Sequence, residues 1–197
     1  EFQITPQRSS DEDESSVTSL SDGGFVVTWD SDGVYPSGFG ILGQRYDSFG
    51  TKAGDFFPIS TDNAWHNRYP STTSLNDGGF VVTWNSYGQD GDDSGIFGQR
   101  YDSNGSTAGS EFQINTYTAS DQWFPSVASL SDGGFVVMWD SDDPDARGIK
   151  GQRYDSTGGD TVGSEFQVNT YGSHHYRPSV TSLSDSGFVV IWDLLIA

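Results

Sequence analysis

The stretch SLSDGGFVVTWDS occupies residues 19–31, and three close copies of it follow along the chain. The tryptophans of the four copies are Trp29, Trp84, Trp139 and Trp192, which lie 55, 55 and 53 residues apart. This period is a little above the ~50 residues of kelch-type blades and much longer than one turn of a parallel β-helix. The chain is therefore built from four related units, and the structure of one unit decides the fold.

Each unit contains four short strand-like segments, which we call A to D in chain order. In the third unit they are PSVASL (125–130), GGFVVMWDS (133–141), GIKGQRYDS (148–156) and GSEFQVNT (163–170). Segment B places Phe, Val and Trp on one face and Val and Met on the other, which is the period of a β-strand. The Asp-Gly pair between A and B suits the positive φ of a hairpin turn. Strands this short need neighbouring units to bury their apolar faces.

Four antiparallel strands per unit predict an all-β fold, a β-propeller of about four four-stranded antiparallel blades, with small residues on strand A where the blades crowd the axis. A stacked array of β-sandwiches is the alternative. We expect one domain over 1–197. Its repeats are predicted at approximately 6–60, 61–115, 116–169 and 170–197. The opening segment 1–5 matches strand D, so we expect it to close the last blade, whose strand C is missing or replaced by the tail 193–197.

The composition excludes several functional classes. The 197 residues include 28 acidic and 9 basic ones, and the formal net charge of −19 disfavours binding to nucleic acid or anionic lipid. There is no cysteine, so neither disulfides nor thiol chemistry are expected. No stretch approaches the ~20 apolar residues of a membrane span, so we expect no membrane insertion. The sequence opens in mid-repeat without a methionine, which favours a processed product or a segment of a longer protein.

Three motifs together, GGFVVxW[DN]S, GQRYDSxG and EFQ[IV]NT, resemble repeats of very large, acidic, cysteine-free bacterial surface and secreted proteins. In those proteins the repeats often stand beside RTX-type or cadherin-like segments. The resemblance covers essentially the whole chain and brings no agreed catalytic residues. It implies a secreted or surface-exposed propeller-like module for adhesion or recognition. We therefore expect a glycan or cell-surface ligand, and either a monomer or a homodimer.

The loops fall into two classes that lie on opposite faces of a blade. The A–B and C–D turns are nearly constant, whereas the B–C and D–A links vary, as loops that carry function usually do. The D–A links contain aromatic and polar side chains that suit a sugar, because a ring stacks on the apolar side of a pyranose while polar groups bind its hydroxyls. The predicted ligand-binding residues are Trp65, His66, Arg68, Tyr69, Trp123, Phe124, His175 and Tyr176. In the alternative interpretation the aromatic residues fill the grooves between blades.

The B–C links are acidic. Closely spaced carboxylates can surround calcium, which takes about 6–8 oxygen ligands. The predicted calcium ligands are Asp90, Asp92, Asp93, Asp140 and Asp142. A solvated acidic loop is the alternative, since the spacing lacks the full EF-hand pattern.

No catalytic motif stands out in the sequence. The three histidines lie in variable links, and there is no nucleophile elbow, phosphate loop or zinc signature. We therefore predict a non-enzymatic carbohydrate-binding module, with a structural spacer of a larger adhesin and a propeller hydrolase as alternatives. A repeated arginine is predicted to pair with an acid such as the following Asp47, Asp102 or Asp155, or with a neighbouring blade, rather than with a ligand. It occurs as Arg45, Arg100 and Arg153.

Overall fold

The computed structural model describes residues 3–4, 11–35, 38–61, 66–144, 147–169 and 174–195. Every regular element within these residues is a β-strand. The strands are β1 (Glu12–Ser19), β2 (Phe25–Tyr35), β3 (Gly38–Tyr46), β4 (Phe57–Pro58), β5 (Asn67–Ser74), β6 (Phe80–Tyr87), β7 (Ser94–Tyr101), β8 (Phe112–Gln113), β9 (Gln122–Ser129), β10 (Phe135–Ser141), β11 (Gly148–Tyr154), β12 (Phe166–Gln167), β13 (His174–Ser182) and β14 (Phe188–Leu195). Across these ranges, no helix has the length and hydrophobicity to cross a membrane.

The strands form four antiparallel sheets, which we call blades 1 to 4. Blade 1 has the strand order β1-β2-β3-β4, and blades 2 and 3 repeat this order with β5 to β8 and β9 to β12. Blade 4 has β13 and β14 in the part of the chain that the structure describes. The predicted all-β class and the four-stranded antiparallel unit are confirmed, and the arrangement is propeller-like.

The end of the chain differs from one of our expectations for blade 4. Asp193 and the two leucines after it do not form a separate strand C. They continue β14 and pair with Tyr176, His175 and His174 of β13. The apolar tail therefore lengthens the second strand of the blade instead of replacing the third.

The segment expected to close the ring lies mostly outside the described residues, which include only Gln3 and Ile4 of residues 1–5. Ile4 packs against Val27 and Trp29 of blade 1. The corresponding face of blade 2 packs against Ile59, which follows the last strand of the preceding blade. Ile4 therefore occupies the place on blade 1 that strand D of a preceding blade would occupy.

The hydrophobic core lies between consecutive blades. Each blade has an outward face, toward the next blade in chain order, and an inward face, toward the preceding one. Val26 on the outward face of blade 1 packs with Val82 and Trp84 on the inward face of blade 2. Equivalent clusters join blade 2 to blade 3 and blade 3 to blade 4. Strand B is apolar on both faces because alternate residues serve two different interfaces.

Small polar side chains on the inner strands β1, β5, β9 and β13 also link the blades. In each link a serine hydroxyl oxygen accepts a hydrogen bond from a backbone N–H of the next blade. The links are Thr72 to Ser16 at 3.1 Å, Val127 to Ser71 at 3.2 Å and Val180 to Ser126 at 3.1 Å. Serine recurs on strand A because it satisfies a backbone donor of the neighbouring inner strand.

The repeated arginine belongs to the scaffold, but its partner is not the following aspartate named from the sequence. It pairs with the aspartate of the A–B turn in its own blade. The pairs are Arg45 with Asp22, Arg100 with Asp77 and Arg153 with Asp132. Arg45 Nη2 also donates a hydrogen bond to the Ser103 carbonyl of the next blade at 3.0 Å. The aspartate two residues after this arginine stabilises the C–D turn instead. In blade 1, Asp47 Oδ1 accepts hydrogen bonds from backbone N–H groups of its own turn.

Gly79 is a position where the repeat tolerates no side chain. A Cβ at Gly79 would overlap the carbonyl oxygen of Tyr101 on the adjacent strand. We expect Gly79→Ala to lower the free energy of unfolding by roughly 1–3 kcal/mol, the usual cost of overpacking. Gly159→Ala is the matched control, because a Cβ there meets no atom within 4 Å. Urea unfolding curves of the two variants measure the difference, and equal midpoints would contradict the close approach.

Candidate functional site

All four inner strands contain the same irregularity near the variable face. The pairing register shifts at this point in every blade. The residues with positive φ at the shift are Glu14 (36°), Tyr69 (56°), Phe124 (52°) and Arg177 (51°). None of them is glycine, so the backbone is strained at four equivalent bulges. Together they line an axial channel of about 320 Å³, which we call the channel mouth.

The side chains at the channel mouth contact one another across blades. The rings of Tyr69 and Phe124 have centroids 4.6 Å apart. Arg177 Cζ lies 5.2 Å from the centroid of the Phe124 ring, within cation–π distance. Phe124, a predicted ligand-binding residue, is therefore packed between two neighbours at the axis.

A second cavity opens beside the channel mouth and has a volume of about 240 Å³. We call it the aromatic cleft, and blades 1, 2 and 3 all contribute to it. Its lining residues are Phe39, His66, Arg68, Tyr69, Asn85, Tyr87 and Trp123. Four of them were predicted from the sequence to bind ligand, namely His66, Arg68, Tyr69 and Trp123. The other three are newly found by the structure.

Arg68 is held in place on three sides. Its Nε lies 3.5 Å from Asp30 Oδ2, and its Nη2 lies 3.6 Å from Asp13 Oδ2. Its Cζ lies 4.1 Å from the centroid of the Phe39 ring. The positive charge in the aromatic cleft is therefore balanced by two carboxylates and stacked on an aromatic wall.

Asp30 is the buried acid beneath Arg68. Its side chain is inaccessible to solvent, and neither carboxylate oxygen has a hydrogen-bond partner of good geometry among the described residues. Burial raises the pKa of Asp30 to about 6, with smaller contributions from Asp13 and Glu14. The Arg68 guanidinium and the backbone of Tyr69 act in the opposite direction and lower this pKa.

Asp140 stands at the same position of blade 3, directly after the repeated tryptophan. It is the register partner of Trp123, next to the bulge in β9. Burial raises the pKa of Asp140 to about 7, with a further rise from Asp142 and an opposing effect of Arg147. Asp142 Oδ1 forms an ion pair with Arg147 Nε at 2.9 Å. Asp140 therefore keeps its proton up to near-neutral pH. Two residues along the chain, Asp142 is paired with a cation.

The acidic link of blade 2 shows charge crowding. Asp121 raises the pKa of Asp93, followed by burial and by Asp92 and Asp90. Asp92 also accepts the backbone N–H of Ser120 at 3.3 Å. Within the described ranges, no group of three or more His, Asp or Glu side chains is placed to hold a metal ion. Calcium binding by the five predicted aspartates stays a prediction.

Two of the other predicted ligand-binding residues, His175 and Tyr176, lie elsewhere. Trp65 lies outside the described residues. His175 Nδ1 lies 2.7 Å from Asn169 Nδ2, and its ring packs edge-on against Trp192 with centroids 6.0 Å apart. The Tyr176 hydroxyl is buried and has no hydrogen-bond partner in the described part of the chain. Neither His175 nor Tyr176 lines the aromatic cleft.

Sequence reasoning missed Asp30 and Asn85, although a signal for both exists. The residue after the repeated tryptophan is Asp30, Asn85, Asp140 or Asp193 in the four units. A polar residue at the end of an apolar strand in every repeat indicates a shared place at the variable face. The motif alone does not show that this place is buried, because the covering residues come from the next blade.

No known protein-family model matches the sequence, and no curated protein sequence matches it. Solved structures do share the fold. The GH93 α-L-arabinofuranosidase of Fusarium graminearum, in complex with arabinobiose, superposes with a TM-score of 0.63 at 14% identity, over 93% of this chain and 56% of that one. The α-L-arabinanase of Penicillium chrysogenum gives 0.63 at 14% identity, over 90% and 58%. The endo-arabinase of Bacteroides thetaiotaomicron gives 0.51 at 14% identity, over 87% and 66%.

The chain thus spans 56% to 66% of the length of these three proteins. At such low identity the likeness shows the fold. Our prediction that the chain is not an enzyme is wrong, because the structures that share the fold are named arabinofuranosidase and arabinanase.

Proposed function

We propose that this chain binds carbohydrate in the aromatic cleft and hydrolyses glycosidic bonds of the bound chain with two carboxyl groups of blade 3. The observation that carries the proposal is the composition of the cleft. Aromatic rings form its walls and polar side chains converge in it, while a carboxyl with a raised pKa lies on the strand paired with that of Trp123. Sugar sites combine these features, because rings stack on sugar faces and polar groups fix the hydroxyls.

Asn85 gives the cleft a specific binding capacity. Its side chain is buried and lines the cleft, and its Oδ1 has no hydrogen-bond partner among the described residues. An unsatisfied buried acceptor costs roughly 1–3 kcal/mol, so a ligand hydroxyl that donates to it recovers that energy. Trp123 and Tyr87 offer ring faces in the same cavity. A saccharide supplies both the hydroxyl donor and the apolar face that stacks.

The carboxyl pair supports hydrolysis. Glycoside cleavage uses one protonated carboxyl as the proton donor and one ionised carboxylate. A raised pKa marks the proton donor of such a pair. Asp140, with its pKa raised to about 7, serves as the proton donor, and Asp142, which forms an ion pair with Arg147, supplies the second carboxyl group. The shared fold with an arabinofuranosidase and an arabinanase supports this assignment.

Charge narrows the substrate class to neutral saccharides. The Arg68 guanidinium is already balanced by Asp30 and Asp13. The chain carries a formal net charge of −19, which repels uronates and sulfated sugars. The resemblance of the repeats to those of bacterial surface proteins favours an extracellular location, where neutral plant or cell-surface glycans are encountered.

The proposal is tested by binding and turnover on one panel. Arabinan, arabinobiose, xylan and polygalacturonate are titrated by calorimetry, and released reducing ends are measured in parallel. We expect binding of at least one neutral glycan together with its cleavage, and no binding of polygalacturonate. Binding without release of reducing ends would contradict the hydrolase assignment. Absence of binding across the panel would contradict the carbohydrate site itself.

A further inference from the structure

Arg68 and Asp30 interact through charge rather than through hydrogen bonds. Arg68 Nε lies 3.5 Å from Asp30 Oδ2. Neither this nitrogen nor either Asp30 oxygen has a hydrogen-bond partner of good geometry among the described residues, and Asp30 is inaccessible to solvent. An ionised Asp30 therefore neutralises the guanidinium, whereas a protonated Asp30 leaves the positive charge of Arg68 without its buried counter-charge.

The other side of Arg68 is open to a ligand. Its side chain is 32% exposed and lines the aromatic cleft, where its Cζ lies 4.1 Å from the centroid of the Phe39 ring. The second carboxylate, Asp13, lies 3.6 Å from Arg68 Nη2 and is 57% exposed, so water screens its charge. A buried charge is screened much less. Asp30 is therefore the acid that acts most strongly on the charge of this cleft wall.

We propose that Asp30 controls, through its protonation state, which saccharides the aromatic cleft binds. With Asp30 ionised the cleft binds neutral saccharides, and with Asp30 protonated it also binds acidic saccharides, whose carboxylate pairs with Arg68. This control rests on the proposed carbohydrate site and adds a second class of ligand to it. The planar guanidinium suits the role, because its N–H groups match both oxygens of a carboxylate.

A moderate change of pH is sufficient to change the charge of Asp30. Burial raises the pKa of Asp30 to about 6, so this group is ionised at about pH 7.5 and largely protonated at about pH 5. The charged groups that act on it are Arg68 from β5, and Asp13 and Glu14 from β1. β6 of the next blade contains no acidic or basic residue. A sugar carboxylate with an ordinary pKa of about 4 remains ionised at pH 5, so it can pair with Arg68 there.

The first test titrates polygalacturonate into the full chain by calorimetry at about 150 mM salt, where exposed charges more than ~8 Å apart are largely screened. The unmodified chain is expected not to bind at about pH 7.5 and to bind at about pH 5. Asp30→Asn is expected to bind at both, with at least ~10-fold higher affinity than the unmodified chain at pH 7.5. The fold accepts asparagine at this place, because Asn85 is buried at the equivalent position of blade 2.

Two controls separate Asp30 from other charges. Asp160→Asn removes an exposed acid on the opposite face, so it changes the net charge equally and should leave polygalacturonate binding unchanged. His66 also lines the cleft and is titratable, yet His66→Gln should keep the dependence on pH. Equal gains in Asp30→Asn and Asp160→Asn would overturn the proposal, as would loss of the pH dependence in His66→Gln. Asp30→Asn that binds a neutral glycan but not polygalacturonate would do the same.

A second measurement needs neither a bound sugar nor an Asp30 variant. Trp123 lines the cleft, and the chain has six tryptophans, so the Trp123 signal is the difference in fluorescence between the chain and its Trp123→Phe variant. Quenching of this signal by iodide, an anion, is expected to rise at least ~2-fold from pH 7.5 to 5, with or without His66, while quenching by neutral acrylamide stays constant. An unchanged iodide response would overturn the proposal. Absence of glycan binding with the iodide response intact would contradict the proposed function alone.

Discussion

Asp140→Asn is expected to lower turnover at least ~100-fold and, at the same time, to stabilise the folded protein at pH 8. Loss of a general acid typically costs about 10²–10⁴ in rate. The amide keeps the shape of the carboxyl but donates no acidic proton. Binding of the saccharide should survive, because Asp140 is not among the residues that line the aromatic cleft. Reducing-end assays and calorimetry on the same glycan measure the two effects separately.

The gain in stability follows from the raised pKa of Asp140. Its folded-state pKa of about 7 lies above the ordinary value of 3.8, so between these values the folded state binds more protons than the unfolded state. Stability therefore falls as pH rises through that window, and above it the buried charge costs on the order of 4 kcal/mol. The Asp140→Asn substitution removes this cost and makes the stability less dependent on pH. Blade 2 already has a buried Asn85 at the equivalent position.

Asp160→Asn is the control for Asp140→Asn, because Asp160 is an exposed acid in the C–D link, on the opposite face. It should change neither turnover nor the pH dependence of melting. A joint fall of activity and stability in Asp140→Asn would assign Asp140 a structural role. Unchanged turnover would remove it as the proton donor.

The blade was predictable because its information is local. The period of the tryptophans, the alternation in GGFVVxW and the Asp-Gly turns are all read within one unit, and each corresponds to a strand or a turn that the structure contains. The tail after Trp192 misled for a physical reason. An apolar run after a strand fits both a new strand and a longer one, and here it pairs with β13.

The site was only partly predictable because it is assembled between blades. His66, Arg68, Tyr69 and Trp123 were found from loop variability, and all four line the aromatic cleft. Phe39 was missed because its role depends on Arg68 of the next blade. The burial of Asp30 was missed for the same reason, because it also depends on Arg68 of the next blade. Sequence patterns describe a residue within its own strand, whereas these residues are defined by neighbours about 30 to 40 positions away.

The bulges are a second feature of the site that could not be predicted from the sequence. Tyr69 and Phe124 were read as parts of regular strands or links, yet both adopt positive φ. Such backbone conformations are rare for bulky residues, so no sequence rule predicts them. The bulge places these two rings at the channel mouth and leaves Trp123, one residue earlier, to the aromatic cleft.

Trp123→Ala is expected to weaken saccharide binding at least ~30-fold while the chain stays folded. Trp123 lines the aromatic cleft, and its ring centroid lies 6.2 Å from those of Tyr69 and Phe124. Removal of a stacking tryptophan at a binding site typically costs about 2 kcal/mol or more, which corresponds to the ~30-fold loss of affinity. The side chain is only half-buried, so we expect a cost in stability of about 1 kcal/mol.

Two variants make the Trp123→Ala result specific to the cleft. Trp192→Ala removes a tryptophan of blade 4 that is 36% exposed and outside the cleft, so it should leave affinity unchanged. Trp123→Phe keeps a ring and should recover most of the binding. The kinetic signature separates Trp123 from Asp140, because loss of a stacking wall raises KM whereas loss of the proton donor lowers kcat. Equal losses of affinity in Trp123→Ala and Trp192→Ala would place the saccharide outside the aromatic cleft.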